Sequence, residues 1–184
     1  KAMQEATPVG QGAMAAILGM EPAAIERLCA EEARGQVVQP ANFNTPGQIV
    51  ISGHAEAVQR VLGRAKGKLR TVSAPFHSAL MAPAAERMGP VLGALRFRDA
   101  SAPICANHDN RFISAAAEFP ASLKRQIASP VRWDTGIQRM IGQGVTRFVE
   151  LGHGKVLSGL MRRIAREVPI TNVEDDAPLQ VTLA

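Results

Sequence analysis

At 184 residues the chain is long enough for one domain carrying a small subdomain, and its 46% hydrophobic content is that of an ordinary globular protein. A net charge of +5 favours an acidic partner, but 4% aromatic residues and scattered Lys and Arg argue against a nucleic-acid surface. No apolar run approaches a membrane span and no signal-peptide pattern is read; with only Cys29 and Cys105 there is no disulfide framework, so a reducing cytoplasmic compartment is expected.

The chain opens at Lys1 on what reads as a helix tail (KAMQEA), as a fragment would. Ala13 to Leu18 is a short apolar strand. Pro22, suited to a first helical position, opens a helix with Ile25, Leu28 and Cys29 on one face, and Gly35 stops it. Gln36–Asn42 and Gln48–Ile51 read as strands around a Thr45-Pro46-Gly47 turn, where Pro fixes φ and Gly accepts positive φ. A second helix from Ala55 to Lys66 aligns Val58, Val61, Leu62 and Ala65. A returning strand, Leu69 to Ala74, completes β-α-β-β-α-β, the ferredoxin-like order, over residues 8–75.

That strand stops at Pro75, and Phe76 and His77 follow before a helical pattern begins. An imidazole at the rim of a sheet stands where α/β folds collect chemistry, and its unperturbed pKa suits proton transfer near neutrality. A capping or half-buried histidine is the plain structural alternative. Met81 to Leu95 reads as helix, with Gly89-Pro90 expected to kink or divide it. Pro103–Asn107 is a brief strand, and a helix from Pro120 runs through Gln126 and Ile127 and stops before Pro130. Trp133–Gln143 is a helix with Gly144 as its cap, Val145–Leu151 a strand, Lys155–Arg166 a helix and Pro169–Val173 a last strand. Strands separated by helices imply parallel pairing.

Four stretches carry a family resemblance: NFNTPGQIVISG from Asn42, APFHSALM around His77, RQIASPVRW from Arg125, and ELGHGKVLSGL from Glu150. Together they resemble the malonyl-CoA:acyl carrier protein transacylases and the related acyltransferase domains of polyketide synthases, in family order over nearly the whole chain. The resemblance implies an α/β fold: residues 8–75 as the ferredoxin-like small subdomain, residues 1–7 and 76–184 as the carboxyl-terminal part of an α/β-hydrolase-like large one. It implies malonyl transfer from malonyl-CoA to acyl carrier protein in fatty acid biosynthesis, by a monomer without metal or bound cofactor. His77 would be general base for a serine on a Gly-x-Ser-x-Gly elbow, a word this chain does not contain, so the chain alone is expected to be inert. A polyketide synthase domain and a non-catalytic ferredoxin-like binding module are the rival readings.

The resemblance also implies that the backbone carbonyl of Gln126 receives the other N–H of His77. Asn42 and Asn44 would line the substrate cleft, unless they serve only to hold the turn. Phe76 would narrow the acyl pocket in favour of malonyl, or simply pack an interface. Lys and Arg at 64, 66, 68, 70, 124, 125, 162, 163 and 166 form the pool for docking an acidic carrier protein or the CoA phosphates. Gly152-His153-Gly154-Lys155 sits where backbone N–H groups can bind an anion, but lacks dinucleotide or P-loop spacing. His153 departs from the Pro usual in the family and reads as an exposed loop residue. The four histidines and two cysteines show no metal-ligand spacing, and Ser78 should point away from His77.

Overall fold

The computed structural model describes residues 1–8, 10–70, 72 and 74–174. Its first half is β1 (Gly12–Leu18), α1 (Pro22–Ala33), β2 (Val38–Thr45), β3 (Gln48–His54), α2 (Ala55–Leu62) and β4 (Gly67–Arg70). The strands order as β4-β1-β3-β2, with antiparallel neighbours throughout. Alternation along β1 explains how this sheet serves two purposes. Ala15 and Ile17 face α1 and α2, packing with Ile25, Leu28, Ile51, Val58 and Val61. Met14 and Ala16 face the other way, with Ala41, Val50 and Phe76. On β2, Phe43 joins the helix-side core, while its neighbours Asn42 and Asn44 open onto a cleft.

Helix α1 ends as the sequence predicts: Arg34 takes φ 46 and Gly35 φ 83, and Arg60 of α2 donates to the carbonyls of Glu32 and Ala33 at the helix end. Helix α2 is shorter than expected, ending at Leu62 rather than Lys66. The chain must turn there so that Gly67 can lie against the Ala16 carbonyl, where a Cβ would collide. Accordingly β4 runs over Gly67–Arg70, two residues earlier than the strand expected at Leu69–Ala74. Thr71 and Ser73 of that expected strand lie outside the described residues.

The second half is a 3₁₀ turn at Ala79–Met81, then α3 (Ala82–Ala94), β5 (Ile104–Cys105), β6 (Phe112–Ile113), α4 (Phe119–Ala128), β7 (Val131–Arg132), α5 (Trp133–Gly142), β8 (Phe148–Leu151), α6 (Val156–Ile164) and β9 (Ile170–Val173). Helix α3 is continuous through Gly89-Pro90 rather than divided. Pro90 lies on its exposed side, where water can serve the carbonyl that lost its N–H partner. β8 and β9 pair in parallel as expected, but β5 and β6 form an antiparallel hairpin that no strand-helix alternation announced. β7, also unexpected, adds to the first sheet in parallel with β2, Asn42 opposite Val131, and so joins the two halves. No helix among the described residues is long and apolar enough to cross a membrane.

Candidate functional site

His77 stands at the junction of these halves. It takes φ 56, a left-handed conformation uncommon for a residue with a Cβ. Its Nδ1 lies 3.2 Å from the carbonyl oxygen of Gln126, in the last turn of α4. A carbonyl only accepts, so this hydrogen bond needs the proton on Nδ1 and leaves Nε2 with a free lone pair.

His77 borders two cavities. One is an open cleft of about 830 Å³ whose walls include Asn42, Asn44, Arg70, Phe76 and Trp133. The other, about 370 Å³, is apolar; Met3, Met88, Leu92, Leu123 and Ile127 line it with His77 and Gln126. All five residues singled out from the sequence therefore come together around this junction. Phe76 does two things at once, packing on the Met14, Ala16, Ala41 and Val50 cluster and edging the cleft. Trp133, Asn107 and Arg70 were not singled out as cleft residues, yet the structure puts them there. Arg70 was assigned to the docking pool. Trp133 had two available signals, its place at a helix start and at the end of the RQIASPVRW stretch, and Asn107 had one, its place at the end of the expected strand Pro103–Asn107.

Several alternatives fall away on geometry. The Ser78 side chain is buried and its Oγ–H donates to the Pro75 carbonyl at 2.7 Å, so it is no nucleophile for His77. Burial pushes the Cys29 thiol up to about 12 and raises Cys105 as well, far from thiolate chemistry. His54 accepts the Val37 N–H on its Nδ1 at 2.9 Å, at the start of α2. Burial chiefly pushes the His108 pKa down, against the Asp109 carboxylate 3.3 Å from its Nε2, and Arg125 donates to the same nitrogen at 3.3 Å. Among the described residues no group of three His, Cys, Asp or Glu side chains could hold a metal ion.

In the 152–155 loop the N–H groups of Gly152 and Gly154 already have acceptors. Gly154 N–H donates to Glu174, while the Leu157 and Ser158 N–H groups at the start of α6 donate to the buried carboxylate of Glu150. Burial works against that charge, but these bonds and the Ser158 hydroxyl outweigh it and hold the carboxyl below its ordinary range. The helix N-terminus already has its anion. His153 is exposed, as expected.

The basic pool divides. Arg64 is committed to Glu31 and Glu32, and Lys124 to Glu86. Lys66, Lys68, Arg70, Arg162, Arg163 and Arg166 make no ion pair among the described residues.

No family model matches the chain. It is 41% identical over 189 residues to the malonyl CoA-acyl carrier protein transacylase of Salmonella typhimurium, an alignment that takes in all of this chain and 61% of that protein. To the transacylase of the same name from Bacillus subtilis it is 42% identical over 188 residues, covering 98% of this chain and 59% of the relative. Among solved structures, the malonyl CoA-acyl carrier protein transacylase from Coxiella burnetii matches with a TM-score of 0.95 at 40% identity, over 98% of this chain and 59% of that one. A malonyl-transacylase solved in complex with its type II polyketide synthase acyl-carrier protein matches with a TM-score of 0.94 at 40% identity, over 99% of this chain and 61% of that one. The chain thus spans about three fifths of the length of the relatives it matches. Along its whole length, in sequence and in fold, the chain is similar to about three fifths of each of these malonyl CoA-acyl carrier protein transacylases.

Proposed function

We propose that this chain is the histidine-bearing part of an enzyme that transfers malonyl from malonyl-CoA to the phosphopantetheine thiol of acyl carrier protein, through a serine acyl-enzyme, in cytoplasmic fatty acid biosynthesis. One observation carries the reading: the His77 Nδ1 contact with the Gln126 carbonyl, which fixes the tautomer and leaves Nε2 able to take a proton. In the first half-reaction Nε2 takes the serine proton as the serine oxygen attacks the thioester carbonyl, and returns it to the departing CoA sulfur. The second half-reaction runs the same steps backwards from the carrier thiol. No metal or bound cofactor takes part, and the whole protein acts as a monomer.

Asn42 and Asn44 contact the substrate from the cleft wall of β2, and Phe76 narrows the acyl site in favour of malonyl. We read residues 8–75 as the ferredoxin-like small subdomain and residues 1–7 and 76–184 as part of the α/β-hydrolase-like large one. The strand order β4-β1-β3-β2 supports the first assignment. Lys66, Arg70, Arg162 and Arg163, none of them ion-paired among the described residues, dock the acidic carrier protein; charge reversal at these positions should weaken carrier affinity at low salt. A polyketide carrier is the second reading, favoured by the relative that was solved with one.

The test is intact-mass spectrometry after mixing malonyl-CoA with this chain and with a version extended by the upstream reading frame. The expected result is a malonyl adduct on the extended protein only, with transfer to the carrier lost in His77→Ala. An adduct on the present chain would place the nucleophile within it and overturn the assignment. No adduct on either would leave a binding module.

A further inference from the structure

The catalytic reading needs His77 held in one posture, and that posture is a strained one: φ 56 on a residue with a Cβ. Something must over-determine it. Three contacts converge on the turn formed by residues 75–78, and none of them involves the imidazole. The Ser78 hydroxyl donates back across the turn to the Pro75 carbonyl at 2.7 Å, and Ser78 has no exposed surface. The Pro75 side chain is itself fully buried and lies on Gly12 of β1, so closely that a Cβ at position 12 would overlap its ring. Just beyond the turn, the Ala79 N–H donates to Oε1 of Gln39, a β2 side chain, at 3.1 Å. The turn is thereby tied to two strands of the small sheet, while the ring it carries is tied to α4 through Gln126.

We propose that Ser78 and Gln39 are positioning residues that hold His77 in its left-handed conformation and so keep its Nδ1–H on the Gln126 carbonyl. The proposal rests on the reading of His77 as the base. Ser78 acts by closing the turn. Being sealed from water, its bond to Pro75 has no substitute partner when the hydroxyl is removed. Gln39 acts by fixing where the chain goes after Ser78. Without these ties His77 relaxes toward negative φ and its Nδ1 leaves the carbonyl. The ring proton is then free to sit on Nε2, the nitrogen that must accept a proton.

The experiment is ring-nitrogen NMR of the neutral histidines in this chain, comparing wild type with Ser78→Ala and Gln39→Leu, and with the His77 signal assigned by its loss in His77→Ala. Wild type should show His77 as the Nδ1–H tautomer. His54 supplies an internal control, because its Nδ1 accepts the Val37 N–H at 2.9 Å, shorter than its 3.4 Å approach to the Val37 carbonyl, and the shorter bond puts its proton on Nε2. In both variants His77 should shift toward Nε2–H while His54 keeps its signature. If His77 keeps the wild-type signature in both, the proposal is overturned. Should Ser78→Ala also lose the His54 signature through unfolding, Gln39→Leu at a half-buried site decides by the same criterion. In the upstream-extended protein the same variants should lower kcat about tenfold with KM for malonyl-CoA unchanged. The two ideas separate cleanly: wild-type transfer by His77→Ala would sink the functional reading and leave the tautomer result standing.

Discussion

Phe76 precedes the candidate base and touches both the apolar patch of the small sheet and the cleft, so its ring is fixed by packing at the cleft wall, which the proposed function makes the acyl site. A ring held in that way excludes an extra methyl more firmly than a free one would. One methyl group is worth about 1–3 kcal/mol of discrimination in an apolar pocket. Phe76→Val in the upstream-extended protein should therefore raise methylmalonyl loading relative to malonyl by about 10- to 200-fold, read as the ratio of the two adduct masses in competition. An unchanged ratio would leave the ring a packing role only. Gly53 makes a different demand. A Cβ there would meet the Val37 carbonyl and the Val38 backbone, which cannot swing aside as a side-chain tip can. Gly53→Ala should thus push β2 away from β3 and cost about 1–3 kcal/mol, measured by urea unfolding.

Between β8 and α6 the hydrogen-bonded link is made by one carboxylate, that of Glu150. Glu150 leaves the strand on its inner side and accepts the first free N–H groups of the helix, a cap contributed from outside the helix itself. Its carboxyl is held below the ordinary range, as is that of Glu32, which Arg64 bonds directly. A depressed folded-state pKa adds stability that is fully present above the unfolded value of about 4.3 and lost as pH falls through the folded one. Glu150→Gln should lower the Tm at pH 7 and flatten its decline below about pH 4.3. Equal acid sensitivity in wild type and variant would remove Glu150 from that account. The same elements mark what could be read beforehand. The β-α-β-β-α-β order was legible because alternation and helical stripes are local patterns, whereas Asn42 and Asn44 were put at a cleft by the resemblance alone. The brief strand at Pro103–Asn107 was legible and is β5, but its partner β6 and the strand β7 were not, because pairings that short are decided by distant partners. The words around His77 located it. Its positive φ was not legible, since that depends on Gly12, Gln39 and Ser78 meeting in space.

Taken as a whole, the described residues form two halves joined where β2 pairs with β7. The small sheet is covered by α1 and α2 on one face, and the cleft and Phe76 lie on the other. The β8–β9 pair is less complete. Phe148 packs inward with Ile137, Met161 and Ile170, while Val149 and Leu151, alternating with Phe148 and Glu150, are 42% and 74% exposed. Parallel strands are ordinarily covered on both faces, and a two-stranded sheet with one apolar face open is an association hazard. The solved relatives continue beyond the region this chain matches, so the corresponding face need not be open in them. For this chain by itself, sedimentation velocity should show association that grows with protein concentration. Val149→Lys with Leu151→Lys should suppress it, since two like charges on that face resist pairing with a second copy, whereas Lys at the already polar Arg166 should change nothing. A chain that stays monomeric over the same concentration range would mean that the exposed face of β8 is not adhesive.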